Sequence, residues 1–234
     1  MALSGEQRAF LARLRVFIPQ AEAAGVPGAV MVAQAVLESN WGRSGLARMG
    51  QALFGVKAGP GWPGAVYCGT TREWVAGRGL VVIPGTHRVY AGYPEAVAAG
   101  CPPGALFRAY ANLEDNIADY LAFFQRSARF RPALDAYART RDPRRFAREI
   151  ARAGYATAPW YGAALVAFME RHLADLLPPR VVVRWNGIPL PDDAVWWRDG
   201  RVYVRLRALA ALRGWRVDYD PAARTVRVTE GGGP

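Results

Sequence analysis

Lysine is nearly absent from this 234-residue chain: Lys57 stands alone against 29 arginines. Cysteine and histidine are scarce too, at two each, Cys68, Cys101, His87 and His172. A structural zinc site would consume nearly all four, and their spacing matches no zinc pattern. No metal site and no cofactor are therefore expected. A Cys–His or Ser–His nucleophile pair can be written down, but no supporting motif surrounds one. The cysteines themselves can be two free thiols or one disulfide. Long apolar runs are also missing. No stretch reaches the roughly 18 residues a membrane helix needs, so membrane insertion is not expected. The opening MALSGEQRAFLARLR carries charges throughout and has no apolar core, so it does not read as a signal peptide.

What is present bounds the answer further. Hydrophobic residues make up 52% of the chain, enough for a sizeable core. The length suits one ordinary domain and one small one. A net charge of +11 favours a polyanionic partner: nucleic acid, an anionic membrane, or the anionic polymers of a cell wall. The charge is spread along the chain. Only RTRDPRRFAR, residues 139–148, is dense, and it reads as a solvated helix face before a binding patch. No nucleic-acid-binding motif accompanies it, so nucleic acid is not expected as a partner.

Apolar positions at Phe10, Leu11, Leu14, Phe17 and Ile18 have a helical rhythm. Gly25 and Pro27 interrupt the chain and restart it as a second, more buried helix that ends near Ser39. Gly- and Pro-rich sequence follows from Gly55 to Gly64. Residues 65–110 read as short strands and loops, and 112–177 return to helix, with Asn112 and Asp142 where N-caps would sit. At LLPPR, residues 176–180, two prolines end the last helix. Beyond them come alternating strands, with Asn186-Gly187 and Asp199-Gly200 as hairpin turns and RLRALAALRG as a short helix closed by Gly214. A boundary is expected near residue 179, dividing the chain into 1–178 and 180–230.

The stretch AQAVLESNWG, Ala33 to Gly42, puts a carboxylate at the end of an apolar helix. Gln34 and Glu38 are four apart and share a face. Glu38 follows Val36 and Leu37, so an apolar wall would raise its pKa by desolvation, as a general acid near neutral pH requires. A helix-end glutamate pointing into water is the plainer alternative.

The surroundings favour the first reading. AQAVLESNWGRS, LFGVK, TTREW, FRAYANLEDNIADYLAFF and GYATAPWYGAAL occur in this order. Together they resemble the peptidoglycan-cleaving glucosaminidases of glycoside hydrolase family 73, the endo-β-N-acetylglucosaminidase type found in autolysins, flagellar muramidases and phage endolysins. The resemblance covers roughly residues 8–177. It implies an α+β fold, with a lysozyme-like helical lobe, a small β-lobe and a sugar-binding groove between them. It also implies bacterial peptidoglycan as partner, action outside the cytoplasm (with release at phage lysis as one route), and a monomer.

In that pattern Glu38 matches the catalytic acid, Glu73 the second acidic residue on the β-lobe, and Tyr155 the tyrosine of the family's GYATDPxY block, which Tyr161 ends. Glycoside hydrolysis needs an acid on the leaving oxygen and negative charge or a nucleophile near the anomeric carbon. Glu73 would activate water or steady the developing charge. Alternatively the substrate's own 2-acetamido group attacks, with Tyr155 helping to hold it. Gln34 is expected to line the cleft. Trp41 and Trp74 are candidate stacking platforms for sugar rings, or buried tryptophans. Lys57 would bind a substrate carboxylate or acetamide, unless its place in FGVK is chance. Tyr161 completes the expected substrate-binding set.

Three departures stand out. The family's aspartate is Ala158 here, which removes any role of that carboxylate. YPEAVAAGCPPGAL reads as an insert between TTREW and FRAY, which makes Glu95 an alternative to Glu73. The insert also brings Cys101 towards Cys68, and a disulfide between them would tie it down in an oxidising setting.

Residues 180–230 resemble the copper amine oxidase N-terminal-like domain, through VRWNGIPLP, DGRVYVRLRALAALRGWRVDYD and ARTVRVT. The segment has no His, Cys or Met, so no copper site is expected. It holds ten arginines against six acids. The resemblance implies a β-rich accessory module with one helix, serving either as an anchor to anionic wall polymers or as a spacer. A wall-binding protein that holds glycan without cutting it is the competing function for the whole chain.

Overall fold

The computed structural model describes residues 3–75, 79–156, 158–179, 182–185, 188–191, 194–198, 200–220 and 225–229, without the side chains of 73–75, 79–80, 185, 197–198, 219–220 and 225. Helix α1 (Gly5–Arg15) opens on a capping box: the Ser4 hydroxyl accepts from the Gln7 N–H while the Gln7 side chain accepts from the Ser4 N–H. After α2 (Ile18–Ala23) comes α3 (Gly28–Ser39), the central helix. Residues Gly28 to Val36 of α3 are buried without interruption, because neighbouring helices cover it on every side. A helix apolar on nearly every face is stable where neighbours cover it. Helix α4 (Gly45–Gly50) leads towards the strands.

The β-lobe follows. Strand β1 (Val66–Cys68) lies at the centre of a three-stranded antiparallel sheet, flanked by β4 (Arg88–Tyr90) and β5 (Leu106–Arg108). Strands β2 (Thr71–Val75) and β3 (Gly79–Ile83) form a separate hairpin. The expected insert builds α5 (Tyr93–Ala98) and a short turn at Pro103–Ala105. Ala96, Cys101 and Ala105 from it pack on Val66, Cys68 and Leu106 as a small second core.

The helical lobe resumes with α6 (Leu113–Arg126), α7 (Arg131–Thr140), α8 (Pro143–Arg152) and α9 (Tyr161–His172). The Asn112 side chain accepts from the Asp115 N–H at 2.8 Å, and that of Asp142 from the Arg144 N–H at 3.0 Å, so both expected caps are made. Phe124, Phe130 and Phe146 are fully buried together with Leu14, Met31 and Leu165. Each such side chain contributes about 1.5–3 kcal/mol by leaving water. This single core fixes the helices against α3.

The lobes are joined at Asp119 on α6. Arg108 at the end of β5 reaches both its oxygens, at 2.8 and 2.7 Å. Tyr110 donates to the same carboxylate at 2.8 Å and Arg126 at 3.0 Å. Burial works against ionisation there, but these donors outweigh it and hold Asp119 below the usual carboxylate range.

Beyond residue 182 the described strands pair with one another. They are β6 (Arg184–Trp185) with β7 (Ile188–Pro189), β8 (Val195–Arg198) with β9 (Arg201–Val204), and β10 (Arg216–Asp220) with β11 (Thr225–Thr229). Helix α10 (Leu206–Leu212) ends at Gly214, which adopts φ 65°. The turn residues Asn186, Gly187 and Asp199 lie outside the described residues. No helix among the described residues is long and apolar enough to cross a membrane.

Candidate active site

The end of α3 shows why the sequence reads ESNWG. Asn40 and Trp41 both take left-handed backbone, at φ 51° and 60°, and Gly42 follows at 72°. Two consecutive non-glycine residues there are uncommon and cost on the order of 1–2 kcal/mol each. Ser39 stabilises the turn: its hydroxyl donates to the Ala35 carbonyl at 2.5 Å and accepts from the Gly42 N–H at 2.7 Å. A side chain at residue 42 would meet the Phe10 ring at 2.6 Å, so glycine is required by space as well as by φ. The abrupt exit leaves Glu38 on the last turn with its side chain open to solvent.

Glu38 is nonetheless not a free carboxylate. Its Oε1 accepts from the Tyr161 hydroxyl at 2.8 Å. The desolvating atoms around it raise its pKa, and the Tyr161 hydrogen bond only partly offsets this. The group is thus accessible and still biased towards holding its proton, a combination suited to general acid chemistry. Tyr155 stands beside it, stacked on Tyr161 with ring centroids 5.6 Å apart and on Phe124 at 5.8 Å. Burial and the Glu38 charge both push the Tyr155 hydroxyl strongly towards its neutral form.

Behind Glu38 lies a polar group set into the apolar core. Gln34 is wholly buried. Its amide donates to the Tyr161 hydroxyl at 2.8 Å, and its carbonyl oxygen accepts from Tyr120 at 2.5 Å. The expectation that Gln34 lines the cleft is corrected: residue 34 faces α6 and α9, and the core closes over it. Tyr161 is corrected likewise. It is 6% exposed and its hydroxyl is occupied by Gln34 and Glu38, so it does not present a surface for a sugar.

Other expected contacts also lie elsewhere. The half-buried Trp41 ring packs on Phe168 at 5.7 Å and on His172 at 6.3 Å. It lines a groove of about 380 Å³ with Phe10, Arg13 and Arg43, to which Glu38 does not contribute. Lys57 donates to the Gly104 carbonyl at 2.5 Å and sits 4.1 Å over the Phe107 ring, so it ties the FGVK block to the insert. Glu95 accepts from the Ala91 N–H at 2.7 Å at the start of α5, a local capping role. Glu73 and Trp74 lie on β2, paired with Val81 and Leu80, and their side chains are outside the described residues.

The cysteines are buried free thiols, not a disulfide. Both pack in the same small core, where Thr86 contacts the two sulfurs: its N–H donates to that of Cys68 at 3.4 Å and its hydroxyl lies 3.6 Å from that of Cys101. Neither forms a Cys–His pair: the His87 ring engages Tyr67 at 2.9 Å and Thr70 at 3.1 Å instead.

A model of the family described as mannosyl-glycoprotein endo-beta-N-acetylglucosaminidase matches residues 15–174. The chain belongs to this glucosaminidase family. The match takes in Glu38, the three tyrosines and the whole β-lobe. A relative from Pseudomonas aeruginosa, the peptidoglycan hydrolase FlgJ, is 35% identical over 65% of this chain and 33% of its own length. FlgJ of Salmonella typhimurium is 32% identical over 72% of this chain and 47% of its own. The chain thus spans about a third to a half of the length of these curated relatives. The C-terminally truncated glycoside hydrolase domain of the Salmonella protein superposes with a TM-score of 0.51 at 29% identity, over 72% of this chain and 98% of that domain. The catalytic domain of the autolysin Auto from Listeria monocytogenes shares the fold at a TM-score of 0.54 and 22% identity, over 75% and 88% of the two chains. The glucosaminidase region is therefore α+β, a helical lobe carrying a small β-lobe.

Tyr120 and Trp160 were not singled out in the sequence. Tyr120 had a signal: a tyrosine on the apolar face of a helix must find a polar partner once buried. Trp160, one residue before Tyr161, is 66% exposed.

Proposed function

We propose that this chain hydrolyses the glycan strand of bacterial peptidoglycan as an endo-β-N-acetylglucosaminidase. The observation that carries the reading is Glu38: an accessible carboxyl with a raised pKa, hydrogen-bonded by Tyr161 at 2.8 Å, in a chain of the glucosaminidase family. Glu38 gives its proton to the glycosidic oxygen as the bond to the anomeric carbon breaks. Positive charge then develops at that carbon and the ring oxygen. Two routes complete the reaction. In one, Glu73 takes a proton from water as the water oxygen bonds to the anomeric carbon. In the other, the acetamido carbonyl oxygen closes on that carbon, Tyr155 orients it, and water deprotonated by the Glu38 carboxylate then opens the ring. Either way water supplies hydroxyl to one fragment and hydrogen to the other.

Trp160 supports this reading as a stacking surface for a sugar near the scissile bond. It stands next to Tyr161 in the chain and is 66% exposed. An exposed indole gains by covering the apolar face of a pyranose.

Residues 1–178 act as the catalytic domain in this reading. Residues 180–230 act as an accessory module of the copper amine oxidase N-terminal-like type, whose arginines face anionic wall polymers. The pairing of its described strands with one another supports the division. The place of action is the cell wall.

The test is digestion of purified peptidoglycan, followed by borohydride reduction and mass spectrometry of the released fragments. Reduced N-acetylglucosamine at the new ends is the expected result. Reduced N-acetylmuramic acid would mean muramidase specificity. Binding without any released fragment would make the chain a wall-binding protein.

A further inference from the structure

A buried glutamine is costly unless its polar atoms find partners. Gln34 is held between two tyrosine hydroxyls: its carbonyl oxygen accepts from Tyr120 at 2.5 Å, and its amide donates to Tyr161 at 2.8 Å. An amide oxygen only accepts and an amide nitrogen only donates, so the end that meets each hydroxyl decides where that hydroxyl's proton points. Reversing the amide would turn the Tyr161 proton towards Gln34 and strip Glu38 of its donor.

We propose that Gln34 is a positioning residue whose amide, held in register by Tyr120, obliges Tyr161 to donate its single proton to Oε1 of Glu38. Oε2 is then the oxygen that carries the transferable proton and faces the leaving group. One side chain that never touches substrate thereby sets the direction of the hydrogen bond that acts on Glu38.

The inference rests on Glu38 being the acid, and its test separates the two claims. The groups facing Glu38 among the described residues are Tyr120 on α6, Tyr155 before α9 and Tyr161 on α9, with the Arg129 guanidinium acting on Tyr155. Tyr120→Phe keeps the ring stacked 3.8 Å from Phe54 and removes only the hydroxyl. The amide can then reverse. Carboxyl NMR of 13C-labelled protein should show Glu38 titrating at higher pH in Y120F than in wild type. Peptidoglycan digestion should lose about fivefold in kcat, the worth of one ordinary hydrogen bond, with KM unchanged. In a Tyr161→Phe background, adding Y120F should change neither the titration nor kcat, because the effect must pass through the Tyr161 proton. Circular dichroism checks that each variant is folded, and Gln34→Met provides a second route to the same upward shift. Unchanged Glu38 titration in both Y120F and Gln34→Met, or effects of Y120F and Y161F that simply add, would overturn the proposal. Should Glu38→Gln remain fully active, the assignment of the acid fails, while the NMR titration still decides the network.

Discussion

Two carboxyls in this protein sit in partly buried places and behave in opposite ways. Glu38 has one neutral donor, Tyr161, and its pKa is raised because desolvation wins. Asp119 is also desolvated, yet two arginines and Tyr110 donate to it and its pKa is lowered. Burial alone therefore does not decide the charge state. The number and charge of the donors does. Asp119 is built to stay ionised and clamp β5 to α6. Glu38 is built to keep a proton it can give away. Lobe geometry and proton transfer are thus assigned to two different carboxyls, and each can be disturbed without the other.

The sharpest way to test that division is Glu38→Gln. Turbidity clearing of a peptidoglycan suspension should fall about a thousandfold, the middle of the range for loss of a general acid. A pKa raised on folding favours the native state fully below the usual glutamate range, and that contribution is lost as pH rises through the raised value. At neutral pH the glutamine variant should therefore melt no lower than wild type. Full clearing by this variant would sink the assignment.

Asp119→Asn should do the reverse, lowering stability by about 2 kcal/mol at pH 7 with the chemistry intact at low temperature. A lowered pKa contributes stability above the usual aspartate range, lost as pH falls through the folded value. Urea denaturation should show the gap between variant and wild type closing in strong acid. A gap that stays constant with pH would mean the clamp does not depend on ionisation.

Tyr161→Phe strikes the one donor to Glu38 among the described residues. Removing it takes away a hydrogen bond that lowers the Glu38 pKa, so the basic limb of the pH–rate profile should move to higher pH. The rate below that limb should fall by about tenfold. A limb that moves to lower pH would contradict the sign assigned here. The smallest effect expected is that of Trp160→Ala. Its ring is exposed, so the melting temperature should hold while KM rises about threefold, within the range of one lost aromatic contact. An unchanged KM would remove Trp160 from the sugar-binding surface.

Much of this protein is written along the chain. Helical rhythm and the caps at Asn112 and Asp142 follow from local chemistry, because turns and caps are satisfied by residues a few positions apart, whereas the last helix of the lobe stops at His172, before the prolines expected to end it. The α3 exit and the candidacy of Glu38 were legible for the same reason. Gln34 was misread because four-residue spacing puts two side chains on one helix face but cannot say whether that face meets solvent or another helix. Tyr120 and Tyr161 approach it from α6 and α9, 86 and 127 residues away, and no local pattern records such a meeting. The same holds for Asp119, whose Arg108 partner comes from the other lobe. The sequence by itself determined which elements form and which carboxyl ends the apolar helix. Only the tertiary structure decided which carboxyl keeps its proton, because pKa depends on donors and dry surfaces assembled from distant segments.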